Sequence, residues 1–228
     1  MAAGPIELVI FDCDGVLVDS EPISLAVLVE ALDVAGVSMG ADEAAERFLG
    51  KSLKTMSEIL HDEYGLAIDD HFLEGMRKTL YARFREELQP IENIRQVVEA
   101  LPVSCCVASS SQPERIRLSL SVTGLIDCFE PNIFSASMVR NGKPAPDLFL
   151  HASEVMGVSP DACVVIEDSP AGVMAAQAAG MRVCAFAGGS HARTGRHRAA
   201  LSILKPDVLF DDMRELLQFV GNAQPTGT

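Results

Sequence analysis

Leu8-Val9-Ile10-Phe11-Asp12-Cys13-Asp14-Gly15-Val16-Leu17-Val18-Asp19-Ser20-Glu21 is the stretch on which the reading of this chain turns. Four β-prone apolar residues have the length of a buried strand, and the Asp-x-Asp-Gly directly after them marks where the strand must stop. Residues two apart on a strand project to the same side, so Asp12 and Asp14 are expected to point one way and Cys13 the other. Two carboxylates held that close resist joint ionisation unless a cation is beside them. The stretch therefore asks for a metal.

Outward from it, the texture changes twice. Pro22 suits a first helical turn, with Asp19 or Ser20 as its cap. Apolar residues then recur at helical spacing over Ile23 to Ala35, Ala44 to Leu49, Leu53 to Tyr64 and Phe72 to Phe84, with no strand between them. This predicts a small all-helical insertion over residues 18–88. After Pro90 helices alternate with short apolar strands: strands at Val103 to Ala108, Asn132 to Ser135, Cys163 to Ile166, Arg182 to Phe186 and Val208 to Phe210, and helices at Ile94 to Leu101, Pro113 to Val122, Ala145 to Met156 and Ala171 to Ala179, with a last helix to Val220. Repeated βα units with continuously apolar strands predict an α/β core, residues 1–17 and 89–221, built as a Rossmann-like parallel sheet with helices on both faces. Residues 222–228 read as a flexible tail.

The 228-residue chain carries a formal net charge of −14, with a pI near 4.7. That charge argues against a nucleic-acid partner, since a phosphate backbone needs a basic footprint. Its apolar runs are far short of the roughly 20 residues of a bilayer span, and the N-terminus has no signal-type segment, so a cytoplasmic protein without membrane contact is expected. Six cysteines, at positions 13, 105, 106, 128, 163 and 184, include no Cys-x-x-Cys pair and read as reduced core thiols. The small basic cluster from Ser190 to Arg198 could touch an anion, but a solvated loop and helix is the favoured reading.

Parallel sheets bind ligands at the carboxyl ends of their strands. There this chain places Asp12 and Asp14, then Ser109-Ser110-Ser111, then Glu167-Asp168-Ser169. Hydroxyls and backbone N–H groups at a helix entrance suit a phosphate, while acids directly after a buried run are costly unless they meet a cation. Between the last two lies Gly142-Lys143-Pro144-Ala145-Pro146-Asp147, whose prolines stiffen the turn about Lys143 and whose Asp147 is a candidate helix cap.

Asp12-Cys13-Asp14-Gly15-Val16, Ser109, Lys143-Pro144 and Glu167-Asp168 together resemble the four ordered motifs of the haloacid dehalogenase (HAD) superfamily, and the helical insertion resembles the cap of its β-phosphoglucomutase-like branch. Within that branch the chain looks most like the sugar-phosphate phosphatases. The resemblance implies a nucleophile, Asp12, a proton shuttle, Asp14, and phosphoryl contacts from Ser109, Lys143 and the N–H groups of Cys13, Asp14 and Ser110. It implies Mg²⁺ held by Asp12, the backbone carbonyl of Asp14 and Asp168, with Glu167 nearby. The substrate would be a small phosphorylated metabolite, a sugar or sugar-acid phosphate such as 6-phosphogluconate. An acid at position 14 decides against dehalogenation, which expels no alkoxide. Against a phosphosugar mutase, the cap positions that carry an arginine and a histidine in β-phosphoglucomutases hold Leu53 and Ser24. A phosphate-sensing module without turnover is the remaining alternative. By position alone, Lys51 and Lys54 are candidate contacts for an anionic leaving group, or else two solvated lysines. Hinge motion is expected near Val16 to Ser20 and Glu87 to Ile91.

Overall fold

The computed structural model describes residues 4–48, 53–193 and 195–222. Lys51 lies outside the described residues, and so does the side chain of Lys54. The chain divides into two compact units, residues 1–19 with 89–228, and residues 20–88.

The first unit is built on a six-stranded, all-parallel sheet: β1 (Leu8–Phe11), β2 (Ser104–Ser109), β3 (Ile133–Ser135), β4 (Cys163–Glu167), β5 (Arg182–Phe186) and β6 (Val208–Phe210). The strands lie in the order β3-β2-β1-β4-β5-β6, so β1 is central and the order of winding reverses beside it. In such a sheet the crevice at the carboxyl end of the central strand is open to a ligand, because the connections before and after it leave in opposite directions. Phe11 is level with Val107 on one side and Ile166 on the other. That register puts Asp12 beside the ends of both neighbouring strands.

Side chains alternate across this sheet. Leu8 and Ile10 join Cys106, Ala108, Val165 and Val183 in a buried cluster with Leu148, Phe149 and Ala152 of helix α8 (Asp147–Met156) and Val173 and Ala176 of helix α9 (Pro170–Ala178). Val9 and Phe11 point the other way and are equally buried, with Phe11 meeting Phe129 of the short helix α7 (Ile126–Phe129) edge to face at 5.9 Å. Strands buried on both faces explain why their sequences are continuously apolar. The unit is completed by α5 (Ile94–Ala100), α6 (Pro113–Val122), α10 (Gly195–Ile203) and α11 (Glu215–Asn222). All six cysteines are free thiols.

The second unit is helical: α1 (Glu21–Val34), α2 (Ala41–Phe48), α3 (Leu53–Tyr64) and α4 (Asp70–Glu87). Leu28, Leu32, Val37, Met39, Ala44, Phe48 and Leu60 form its own core. Helix α4 starts two residues before the expected Phe72, because the Asp69 side chain caps it by accepting from the Phe72 N–H at 2.8 Å. Two other cap expectations fail. Ser20 stands at the N-cap of α1 without a side-chain capping bond to the helix, and Asp147 opens α8 from inside its first turn while its carboxylate accepts from Asn141 Nδ2 at 2.9 Å. Among the described residues no helix is long and apolar enough to cross a membrane.

Phe149 is fully buried in the core cluster and also lies beneath the Lys143 ammonium, 4.9 Å from its ring centroid. Phe149→Ala is expected to lower unfolding stability by about 3–5 kcal/mol, the usual cost of emptying an aromatic site, measurable as a drop in the urea midpoint at unchanged slope.

Candidate active site

Strand β1 ends at Phe11, where the backbone enters a turn rather than extending the strand. Gly15 N–H bonds the Val18 carbonyl at 2.8 Å, and Leu17 and Val18 N–H both reach the Cys13 carbonyl. Gly15 sits at φ +80°, and a Cβ there would fall 2.0 Å from Asp168 Oδ2, so only glycine lets the turn pass this close to a carboxylate. The backbone leaves strand geometry before Asp14, and the two acids of the Asp-x-Asp stretch do not share their hydrogen-bond partners.

Asp12 Oδ1 accepts from Lys143 Nζ at 2.7 Å, and the same ammonium bonds Glu167 Oε1 at 2.6 Å. The Lys143 side chain is only 4% exposed. Asp12, Glu167 and Asp168 are all buried, and they can offer oxygens within 4.8 Å of one another. Burial pushes the Asp12 carboxyl well above the usual carboxylate range; Lys143 opposes this, and Glu167 and Asp168 add to it. Burial alone would lower the Lys143 ammonium, but the charges of Asp12 and Glu167 overcome it and hold its pKa well above that of an ordinary lysine. Glu167 is further fixed at Oε2 by the Ser169 N–H and hydroxyl, each at 2.9 Å. Ser169 caps α9 by accepting from the Gly172 N–H at 3.0 Å, so the helix start and the buried acid share one anchor.

Asp14 stands apart from that trio. Its Oδ2 accepts from Ser111 Oγ at 2.6 Å and its Oδ1 from Arg115 Nη2 at 2.8 Å. Ser109, at the end of β2, is buried, and its hydroxyl accepts from the Ser111 N–H at 3.1 Å. Cys13 is buried, and Ser110 is exposed. The solvated reading of Ser190 to Arg198 is overturned in part. The side chain of His191 is 5% exposed, with Nε2 2.9 Å from Asp168 Oδ2, and His197 Nε2 lies 2.7 Å from the Asp168 carbonyl. Burial and the neighbouring His191 lower the His197 pKa. Ser190 Oγ donates to the Asp19 carboxylate, at 2.7 Å from Oδ1 and 2.6 Å from Oδ2. Asp19 thus ties the first turn to the loop after β5 instead of capping a helix. Arg198 does remain in solvent, paired with Asp211.

Sequence reasoning therefore named Ser111 only within the serine cluster, missed Arg115, and placed His191 and His197 in a stretch it read as solvated. For Arg115 the available signal was its place in the first turn of the helix after the serine cluster. For the histidines it was their place after β5, which is another strand end.

The arrangement has the parts for phosphoryl transfer: a buried carboxylate paired with a buried lysine, a second carboxylate held separately, and three acids spaced for a cation. The haloacid dehalogenase-like hydrolase family model matches residues 9–186, and the chain belongs to that family. It is 32% identical to 6-phosphogluconate phosphatase of Escherichia coli K12 over 187 residues, 82% of this chain and 85% of that protein. A haloacid dehalogenase-like protein of unknown function from Agrobacterium tumefaciens matches 95% of this chain and 98% of its own, with 35% identity and a TM-score of 0.84. A HAD family hydrolase from Deinococcus radiodurans, solved with bound phosphate and sodium, matches 96% and 97% with 31% identity and a TM-score of 0.79. Phosphoric monoester hydrolase is the enzyme class that family and relatives define.

Lys143→Met would leave Asp12 and Glu167 buried without their common cation. It is expected to cost about 3–5 kcal/mol near neutral pH. Since Lys143 titrates higher folded than unfolded, its contribution is complete below the unfolded lysine pKa and is lost only as pH rises through the folded one. The deficit of the variant should instead narrow toward acid pH, as Asp12 takes up a proton. Urea midpoints of both proteins from pH 8 down to pH 4 check this.

Proposed function

We propose that the chain hydrolyses a small phosphorylated metabolite, a sugar or sugar-acid phosphate, through an aspartyl-phosphate on Asp12, with Mg²⁺ as cofactor. The observation that carries the reading is the separation of Asp12 from Asp14. One carboxylate is bonded to Lys143 and crowded by two acids, and the other is held by a hydroxyl and a guanidinium. A nucleophile and a proton donor need such unlike surroundings if both are to act at one pH.

The donor set fits Mg²⁺. It is oxygen only, and its burial, with the neighbouring acids, pushes the Asp12 carboxyl upward, a penalty that a divalent ion would relieve. Asp12, the backbone carbonyl of Asp14 and Asp168 would hold the ion, with Glu167 behind them because both its oxygens are already engaged by Lys143 and Ser169. Mg²⁺, when bound, supplies charge neutralisation and polarises phosphoryl oxygens. Asp12 Oδ attacks phosphorus in line with the departing oxygen. Lys143, Ser109 and the N–H groups of Cys13, Asp14 and Ser110 grip the phosphoryl oxygens. Asp14 protonates the leaving alkoxide and then takes a proton from the water that opens the aspartyl-phosphate. The helical unit serves as the cap that selects the substrate, with Lys51 and Lys54 as contacts for an anionic leaving group. Ser24, where a mutase carries histidine, spends its hydroxyl on the Ser20 carbonyl within α1 at 3.0 Å.

Chelation followed by readdition of Mg²⁺ should abolish and then restore phosphate release across a panel of sugar and sugar-acid phosphates. Release of free phosphate, rather than an isomerised sugar phosphate, separates this reading from a mutase, and metal binding without turnover on any substrate would overturn it. Asp12→Asn should abolish turnover. It should also raise the thermal midpoint of the metal-free protein by a few degrees, because the folded state raises the Asp12 pKa and so penalises the ionised side chain at neutral pH. Retained turnover in that variant would sink the mechanism.

A further inference from the structure

We propose that Arg115 and Ser111 are positioning residues that aim Asp14 at the leaving oxygen, and so govern how well the enzyme expels poor leaving groups. The proposal rests on the reading of Asp14 as the proton donor.

Asp14 lies beyond the last ladder residue of β1, in a turn, so strand geometry does not aim it. Two side chains from elsewhere in the sequence do. Ser111 Oγ holds Oδ2 at 2.6 Å and Arg115 Nη2 holds Oδ1 at 2.8 Å. The pair is well covered, with side-chain exposures of 23% for Arg115 and 15% for Asp14. Both holders are themselves fixed. The Ser111 N–H donates to Ser109 Oγ at 3.1 Å, and its carbonyl accepts from Ser135 Oγ at 2.7 Å. Arg115 is the third residue of α6, a helix opened by Pro113. The orientation of Asp14 is therefore referred to the ends of β2 and β3 as well as β1.

The donor types assign the two oxygens. A guanidinium can only donate, so Oδ1 stays an acceptor, whereas a hydroxyl can donate or accept by rotating. Oδ2, whose hydroxyl partner can turn to accept, is thus the oxygen assigned to carry the proton. As the bond from Asp12 Oδ to phosphorus forms, the bond from phosphorus to the leaving oxygen breaks with its electron pair on that oxygen. The proton on Asp14 Oδ2 moves there, leaving Asp14 as the carboxylate that Arg115 stabilises. Misplacing such a donor by about 1 Å can cost on the order of 100-fold.

The test compares kcat/KM for an alkyl phosphate such as a sugar phosphate and for p-nitrophenyl phosphate, whose phenolate departs without a proton. This ratio covers steps only up to departure of the leaving group, so later hydrolysis of the aspartyl-phosphate does not enter it. Asp14→Asn calibrates the readout and should fall much further on the alkyl ester than on the aryl ester. Arg115→Gln and Ser111→Ala should lose about 10- to 100-fold on the alkyl ester and under about threefold on p-nitrophenyl phosphate. Arg115→Lys should recover part of the loss, and circular dichroism should match the parent. Equal losses on both esters in these variants, alongside a split in Asp14→Asn, would overturn the proposal. No split in Asp14→Asn would instead overturn the assignment of Asp14, and the proposal with it.

Discussion

The ammonium of Lys143, buried between Asp12 and Glu167, is the interaction on which the site depends. Three carboxylates gathered at the ends of two adjacent strands would otherwise repel one another in a region from which water is excluded. A lysine is a compact charge on a flexible stem and can reach both acids at once. Here the ammonium lies over the Phe149 ring, so the residue that fills the core beneath also provides an aromatic face for the charge. Core packing and active-site electrostatics meet at that one side chain.

The balance is incomplete, and that is chemically useful. Even with Lys143 in place the Asp12 carboxyl is pushed upward, because burial and the two remaining acids outweigh one cation. A folded state holding excess negative charge at the strand ends is primed for a cation and stores part of its stability as binding potential. An overall acidic surface does not by itself exclude a phosphorylated substrate. The local field is set by Lys143, Arg115 and any bound ion within a few ångströms, and charges on the distant surface are screened.

Much of the fold was legible because its signals are periodic. Short, continuously apolar strands announced a two-sided parallel sheet, and helical spacing over the inserted block announced a second texture. The acid and lysine motifs sit at strand ends because the crevice beside β1 is where a parallel sheet leaves room. The contacts that could not be read depend on where the backbone goes after a strand stops. Asp12 and Asp14 are two residues apart, and nothing in their spacing says that Asp14 is met by Ser111 and Arg115. Asp19 and Asp147 looked like caps from their positions, yet each found a partner distant in sequence or in a neighbouring turn. His191 and His197 belonged to a stretch whose charge looked solvated, and only the packing of the loop after β5 against Gly15 and Asp168 brings them in.

Those histidines also bear on how the acid cluster is kept in order. His191 Nε2 meets the Asp168 side chain and His197 Nε2 meets its backbone carbonyl, so Asp168 is held at two points by one loop and the helix after it. Ser190 in the same loop holds Asp19. The turn that carries Asp14 is thus pinned from two directions, by α6 through Arg115 and by the loop after β5 through Ser190. A turn containing glycine at positive φ would otherwise be among the softer parts of the chain. Fixing it from both sides keeps the separation between Asp12 and Asp14 a property of the scaffold, present before any substrate arrives. In the mechanism proposed above, preorganisation of that kind would lower the barrier, because the groups need not be reoriented when charge moves.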